Sequence, residues 1–171
     1  YKFWTYDWRI SFEKGDKYNS WNSDGYKREF YKIAGSYFPN DNLKINLQYR
    51  VRKENEWLIW TEDNKFGLYD SEQDTVSIGL NWFSGNKHEI RLKSQFVALQ
   101  ADNPQSLISD SDGYLYDSDD LIRPFTQGVV SFQVRYKYEI APLSYLYLVY
   151  SKGGTSYDED EDYSKSEIFN Q

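Results

Sequence analysis

The chain holds a single histidine, His88, followed by Glu89. The pair opens like a zinc-protease helix, but that motif needs a second histidine one turn away, and there is none. A hydrolytic serine would have to lie beside the ring. Ser94 shares its strand face, yet six residues of strand separate the two by roughly 20 Å. His88 therefore reads as a polar residue beside a turn. The stretch SDSDGYLYDSDD offers Asp110, Asp112, Asp117, Asp119 and Asp120. Calcium favours such oxygen clusters, but the closing bidentate glutamate is missing at its spacing. Asp110, Asp112 and Asp117 are weak metal candidates in what is expected to be a solvated acidic loop, and the run Asp158 to Asp162 is a like-charge tail. There is no cysteine, hence no thiolate zinc site and no disulfide framework. No phosphate-cradling glycine loop or dinucleotide fingerprint occurs. These residues supply no catalytic set and call for no cofactor, so an enzyme is not expected.

Two other groups are suited to binding. Trp21, Trp57, Trp60, Phe66 and Tyr69 fall in polar stretches and could stack on sugar rings, anchor at an interface or pack within a loop. Of these, Trp21, Trp57 and Trp60 are the glycan-contact candidates. Lys44, Arg50, Arg52, Arg91, Lys93, Arg135 and Lys137 form a cationic stripe with Glu139 among them. The stripe could favour anions in transit. The preferred reading is pairing across strands with Glu89, Glu139 and Asp7.

The elements that place these side chains are strands. In LKINLQYRVR, Leu43, Ile45, Leu47, Tyr49 and Val51 alternate with Lys44, Asn46, Gln48, Arg50 and Arg52. Successive strand side chains point to opposite faces, so this ribbon has one apolar and one cationic side; a helix would scatter both sets around its circumference. The unit recurs. KFWTYDWRISF sets Trp4, Tyr6, Trp8 and Ile10 against Thr5, Asp7, Arg9 and Ser11, and a weaker strand runs from about Tyr26 to Phe38. After the organising strand come Gln73 to Phe83, HEIRLKSQFVA, GVVSFQVRYKYEI and YLYLVY, which makes seven strands. PNDN, SGNK and APLS are short turns. EKGDKYNSWNSDG, KENEWLIWTEDNKFGLYDSEQ, the acidic stretch from about Leu99 to Gln127, and the tail SKGGTSYDEDEDYSKSEIFNQ read as long connections or strand ends. Short and long connections therefore alternate.

This pattern fits an antiparallel up-and-down transmembrane β-barrel, with short turns on one rim and long loops on the other. The clear strands have about 10 residues, and roughly 9–11 tilted residues cross a bilayer. Aromatics gather near the short turns at Tyr37, Phe38, Trp82, Phe83 and Tyr138, where an interfacial girdle belongs. Mean hydropathy is −0.84, but a barrel wall interleaves polar residues with lipid-facing ones and escapes hydropathy scans. A soluble sandwich or lipocalin-like barrel shows the same alternation with its apolar side inward, so periodicity alone leaves both open. The formal charge of −7 argues against a nucleic-acid partner. The strand count is odd, the chain opens on Tyr1 at the edge of a strand, and it closes in a polar stretch. Residues 1–171 are thus expected to be one segment of an incomplete barrel from a longer chain.

Three blocks carry a resemblance: INLQYRVRKENEWLIWTEDNKFG, GLNWFSGNKHEIRLKSQFVAL and FQVRYKYEIAPLSYLYLVYSKGG. Together they resemble the C-terminal region of a bacterial outer-membrane family catalogued as domain of unknown function 5916. The likeness covers about Asn42 to Gly154, with RYKYEIAPLS and YLYLVYS its most specific part. It implies an exported protein with an N-terminal carbohydrate-binding-like β-sandwich ahead of a large barrel. Location and architecture follow from it, and no reaction does. The expected function is an outer-membrane channel or scaffold associated with glycan handling, with the bilayer and its lipopolysaccharide as partners and a glycan as possible ligand. The alternative is a secreted soluble β-sandwich or barrel that binds carbohydrate.

Overall fold

The computed structural model describes residues 3–14 and 27–159. The strands are β1 (Phe3–Lys14), β2 (Lys27–Asn40), β3 (Leu43–Glu62), β4 (Lys65–Ser84), β5 (His88–Ser109), β6 (Leu115–Asp117), β7 (Phe125–Ala141) and β8 (Ser144–Asp158). All belong to one antiparallel sheet in the order β1-β2-β3-β4-β5-β7-β8, with β6 paired to the far end of β5. The chain is all-β and the sheet is open: among the described residues, β1 and β8 are free edges. The short turns fall where the sequence places them, at Asp41–Asn42, Gly85–Lys87 and Pro142–Leu143.

The strands run well past the lengths read from periodicity. Of the two readings of KENEWLIWTEDNKFGLYDSEQ, strand ends is the one seen: it is the outer half of the β3–β4 hairpin, closed by a tight turn at Asp63–Asn64. The acidic connection begins only after Ser109 and contains β6, and the tail continues β8 as far as Asp158. The physical reason is a set of bulges. The register shifts between Glu54 and Trp57, where Glu56 adopts a φ of 59°, and again between Trp60 and Glu62 and between Leu68 and Asp70. Each shift breaks the period of two on which the sequence reading rests, while the ladder of backbone hydrogen bonds resumes beyond it. The polar connection between β1 and β2, including Trp21, lies outside the described residues.

Register aligns the faces across the sheet. Ile45 stands between Tyr37 and Leu80, and the same rung continues through Leu92 and Val134 to Tyr150. Asn46 stands between Ser36 and Gly79, continuing through Lys93 and Gln133 to Ser151. One face is thus apolar from the Leu43–Trp82 rung to Val51, about 26 Å along the strand at ~3.3 Å per residue. It ends where Asp74 meets Val51 and where Lys53 pairs with Glu72 at 3.2 Å.

Nothing among the described residues covers this face. Tyr6 is 81% exposed, Trp8 71% and Ile33 62%. Among the described residues, the buried apolar ones are Leu68, Tyr69, Ala98, Ala101 and Leu107, all on β4 and β5. A small aromatic core stands at the outer end, on the polar side. There the Phe125 ring meets Tyr69 edge-on at 5.3 Å, Tyr157 at 5.4 Å and Trp57 at 6.4 Å. Tyr69 lies flat over Gly67, so a Cβ at that glycine would sit 2.5 Å from the ring.

Gly67→Ala is therefore expected to lower unfolding stability by about 1–3 kcal/mol, because the Tyr69 ring is held by Phe125 and cannot step aside. Gly79→Ala, whose Cβ would meet only the movable Asn46 amide, should cost clearly less. Urea unfolding followed by far-UV circular dichroism compares the two.

Candidate ligand-binding face

The polar face carries three hollows. The largest, about 710 Å³, crosses five strands and is lined by Asn46, Gln48, Ser77, Gly79, Lys93, Gln95, Ser131, Gln133, Ser151 and Gly153 together with neighbouring backbone. Small residues at Ser77, Gly79, Ser131 and Gly153 open the floor, and carboxamides rim it. Ser36 Oγ donates to Asn46 Oδ1 at 2.7 Å, while Lys93 makes no ion pair with a described residue. The second hollow, about 390 Å³, lies towards β1, and the third, about 260 Å³, lies under Trp57.

The charged residues read from the sequence do share this face, and four of them, Arg52, Arg91, Arg135 and Lys137, fall in two clusters around carboxylates. Glu89, nearly buried, gathers Arg91, Arg135 and Lys137, the last two at 3.6 Å and 3.8 Å. Lys137 also lies 4.1 Å from the Tyr145 ring centre. At the outer end, Glu54 receives Arg28 at 2.8 Å and Arg52 at 2.5 Å. Burial pushes the Glu54 carboxyl up, but the bonds from Arg28 and Arg52 outweigh it and hold it below the usual carboxylate range. Asp7 takes Lys32 at 2.5 Å. Pairing of the stripe across strands is thus seen at Glu89, with Arg135 and Lys137; Asp7 instead takes Lys32, which is not part of the stripe. Glu139, which stands opposite Tyr145 in the ladder, pairs with no described cation. Lys44 points over the Phe38 ring, 5.2 Å from its centre. Glu54 was missed as an organising carboxylate because it stands where the β3 alternation breaks. Its spacing of two from Arg52 was the available signal.

The tryptophans do not form one sugar platform. Trp57 is turned by the Glu56 bulge into the aromatic core and lines the third hollow. Trp60 is 63% exposed at the hairpin tip, where its Nε1 donates to the Asp63 carbonyl at 3.0 Å. Trp21 is outside the described residues. Nor do the aspartates form a metal centre: among the described residues, no three His, Cys, Asp or Glu side chains come together to hold an ion. Asp110 is spent on its own turn. Its carboxylate accepts the Tyr114 N–H at 2.9 Å, the Tyr116 hydroxyl at 3.1 Å and the Asp112 N–H at 2.9 Å, which hold its pKa below the usual range. Asp117 accepts Gln105 Nε2 at 2.7 Å. His88 Nδ1 lies 2.7 Å from the Tyr136 hydroxyl and its ring stacks on Tyr138, far from Ser94. It joins a band of rings along the short-turn rim that includes Trp4 stacked on Tyr37 and Phe3 on Phe38.

Compared with family models, with curated proteins and with solved structures, the chain matches none.

A carboxyl whose folded pKa is lowered stabilises the fold above its unfolded value, and that contribution is lost as pH falls through the folded value. Glu54→Gln should therefore lower stability by about 1 kcal/mol at about pH 7, since its arginines keep partial hydration. The deficit should shrink as pH falls below the ordinary glutamate range and through the lowered folded value of Glu54. Urea midpoints of both proteins across that range measure it.

Proposed function

We propose that this chain is a wall segment of a bacterial outer-membrane β-barrel, with its apolar face towards lipid and its polar face towards enclosed water. The observation that carries the reading is the uncovered apolar face: a regular band of Trp, Tyr, Ile, Leu and Val with no second layer over it among the described residues. A soluble sandwich would have to bury Ile45, Leu80 and Val134 against something, and no described element does so. The apolar run of about 26 Å along the strand suits the roughly 25 Å lipid-facing band of such barrels. The aromatic rim and the outermost charges supply its two borders. A cleft of about 440 Å³ over Gly35, between Tyr6, Ile33, Leu47 and Ile78, is lined almost wholly by apolar atoms and has the chemistry of an acyl-chain seat.

In this reading, β1 and β8 take further strands, whether from the rest of a longer chain of the resembled family or from another copy. An open edge in hydrocarbon would leave backbone groups without partners. The polar face then lines a channel. Its carboxamides, hydroxyls and glycines favour passage of hydroxyl-rich solutes such as glycans over a sealed scaffold, and no chemical step is assigned to it. Lipopolysaccharide meets the outer loops.

The expected outcome is that the full chain, diluted from urea, gains β structure with vesicles or detergent and floats with vesicles. Trp4 and Trp8 fluorescence should be quenched by lipids brominated along the acyl chain. A folded, monodisperse protein in plain buffer that ignores vesicles would refute the assignment.

A further inference from the structure

The second hollow on the polar face has a charge arrangement that its own residues do not satisfy. Arg9 stands opposite Lys32, and Lys32 opposite Arg50, so one rung of the ladder sets three cations side by side. Neighbouring strands are about 4.8 Å apart, and like charges directly opposite one another destabilise a sheet. Asp7 neutralises Lys32, and Glu54 engages Arg28 and Arg52 two rungs along. Glu13 stands opposite Arg28 in the ladder. Arg9 and Arg50 form no ion pair with a described residue, and Arg9 lies 5.9 Å from the Phe30 ring centre. Both guanidinium side chains wall the hollow of about 390 Å³, along with Arg28, Arg52, Gln73 and Thr75. Thr75 is 1% exposed, and its hydroxyl has no hydrogen-bond partner among the described residues. A buried hydroxyl without a partner is costly to keep.

We propose that this hollow binds the oxyanion group of an anionic sugar, a carboxylate or a phosphate. Two guanidinium forks from opposite sides of β2 grip its oxygens, and the Gln73 amide donates from the β4 side, with Thr75 packed beneath. Guanidinium matches the planar, two-point geometry of such oxygens. The volume is that of a small-molecule site. The site lies on the polar face and does not depend on what the opposite face meets, so its failure and that of the membrane reading are separable.

The test is titration of the full chain in detergent, at constant ionic strength set with chloride, with glucuronate, inorganic phosphate and neutral glucose, followed by the thermal midpoint and by calorimetry. Glucuronate, phosphate or both should bind and raise the midpoint, and glucose should not. Response to one alone identifies the anion source. In the double variant Arg9→Gln, Arg50→Gln, affinity should fall about tenfold or more with two charge-assisted contacts gone, whereas Lys87→Gln, in the exposed turn between β4 and β5, should bind as the parent does. Relief of the three-cation rung should leave the unliganded double variant at least as stable as the parent, so loss of binding cannot be put down to unfolding. Absence of response to both anions, an equal response to glucose, or unchanged affinity in the double variant would overturn the proposal.

Discussion

A β-ladder satisfies the backbone of every strand it joins and leaves the side chains on both faces to their surroundings. That is the condition of this molecule. Its described residues make one layer, so neither face finds a partner within the fold. In a two-layer protein, the rung of Ile45, Leu80, Leu92 and Val134 would be the core. Here those four are half-buried by their neighbours on a face that no described element covers, and the few buried apolar side chains lie beyond them on β4 and β5. Water on both sides would leave the largest favourable term in folding unused. In the proposed setting, hydrocarbon on one side and water on the other would answer both faces at once, with no polar backbone exposed except at the two edges.

The polar face has its own requirement. Cations outnumber carboxylates on it, and Glu54 and Glu89 each hold more than one cation. These anchors sit near opposite ends of the apolar band, with the 710 Å³ hollow of serines, glycines and carboxamides between them. The middle of the face is thereby open and neutral apart from Lys93, and its borders are charged and rigid. A wall built this way offers many weak hydrogen-bonding positions to a hydrated solute and few strong ones. The exception is the rung through Arg9 and Arg50, where charge is concentrated without a matching carboxylate.

What was legible in the sequence was what repeats. Strands with a strict period of two, such as Leu43 to Arg52, gave the right faces, the right neighbours and the right short turns, because pleating ties sequence parity to side-chain direction. What was not legible was what interrupts the repeat. Glu56 at positive φ turns Trp57 inward and breaks the alternation of β3, so that strand end and loop could not be told apart there, nor could sugar contact and packing for Trp57, which joins an aromatic core. The acidic loop was expected and is seen, but composition does not say that the Asp110 oxygens are committed to Tyr114, Tyr116 and Asp112. The arginine hollow depends on which strands lie side by side. Arg9 and Arg50 are distant in sequence and meet only across β2.

The central claim is that the two faces of one strand meet different solvents. The chain contains no cysteine, so single cysteines can be placed in turn at Ile45, Asn46, Leu47 and Gln48 and labelled with nitroxide in vesicle-bound protein. Collision rates with oxygen, which concentrates in hydrocarbon, and with a water-soluble nickel chelate report the medium around each label. The account predicts strict alternation: labels at 45 and 47 favour oxygen, and labels at 46 and 48 favour nickel. Uniform access to nickel at all four positions, or alternation in the opposite phase, would contradict it.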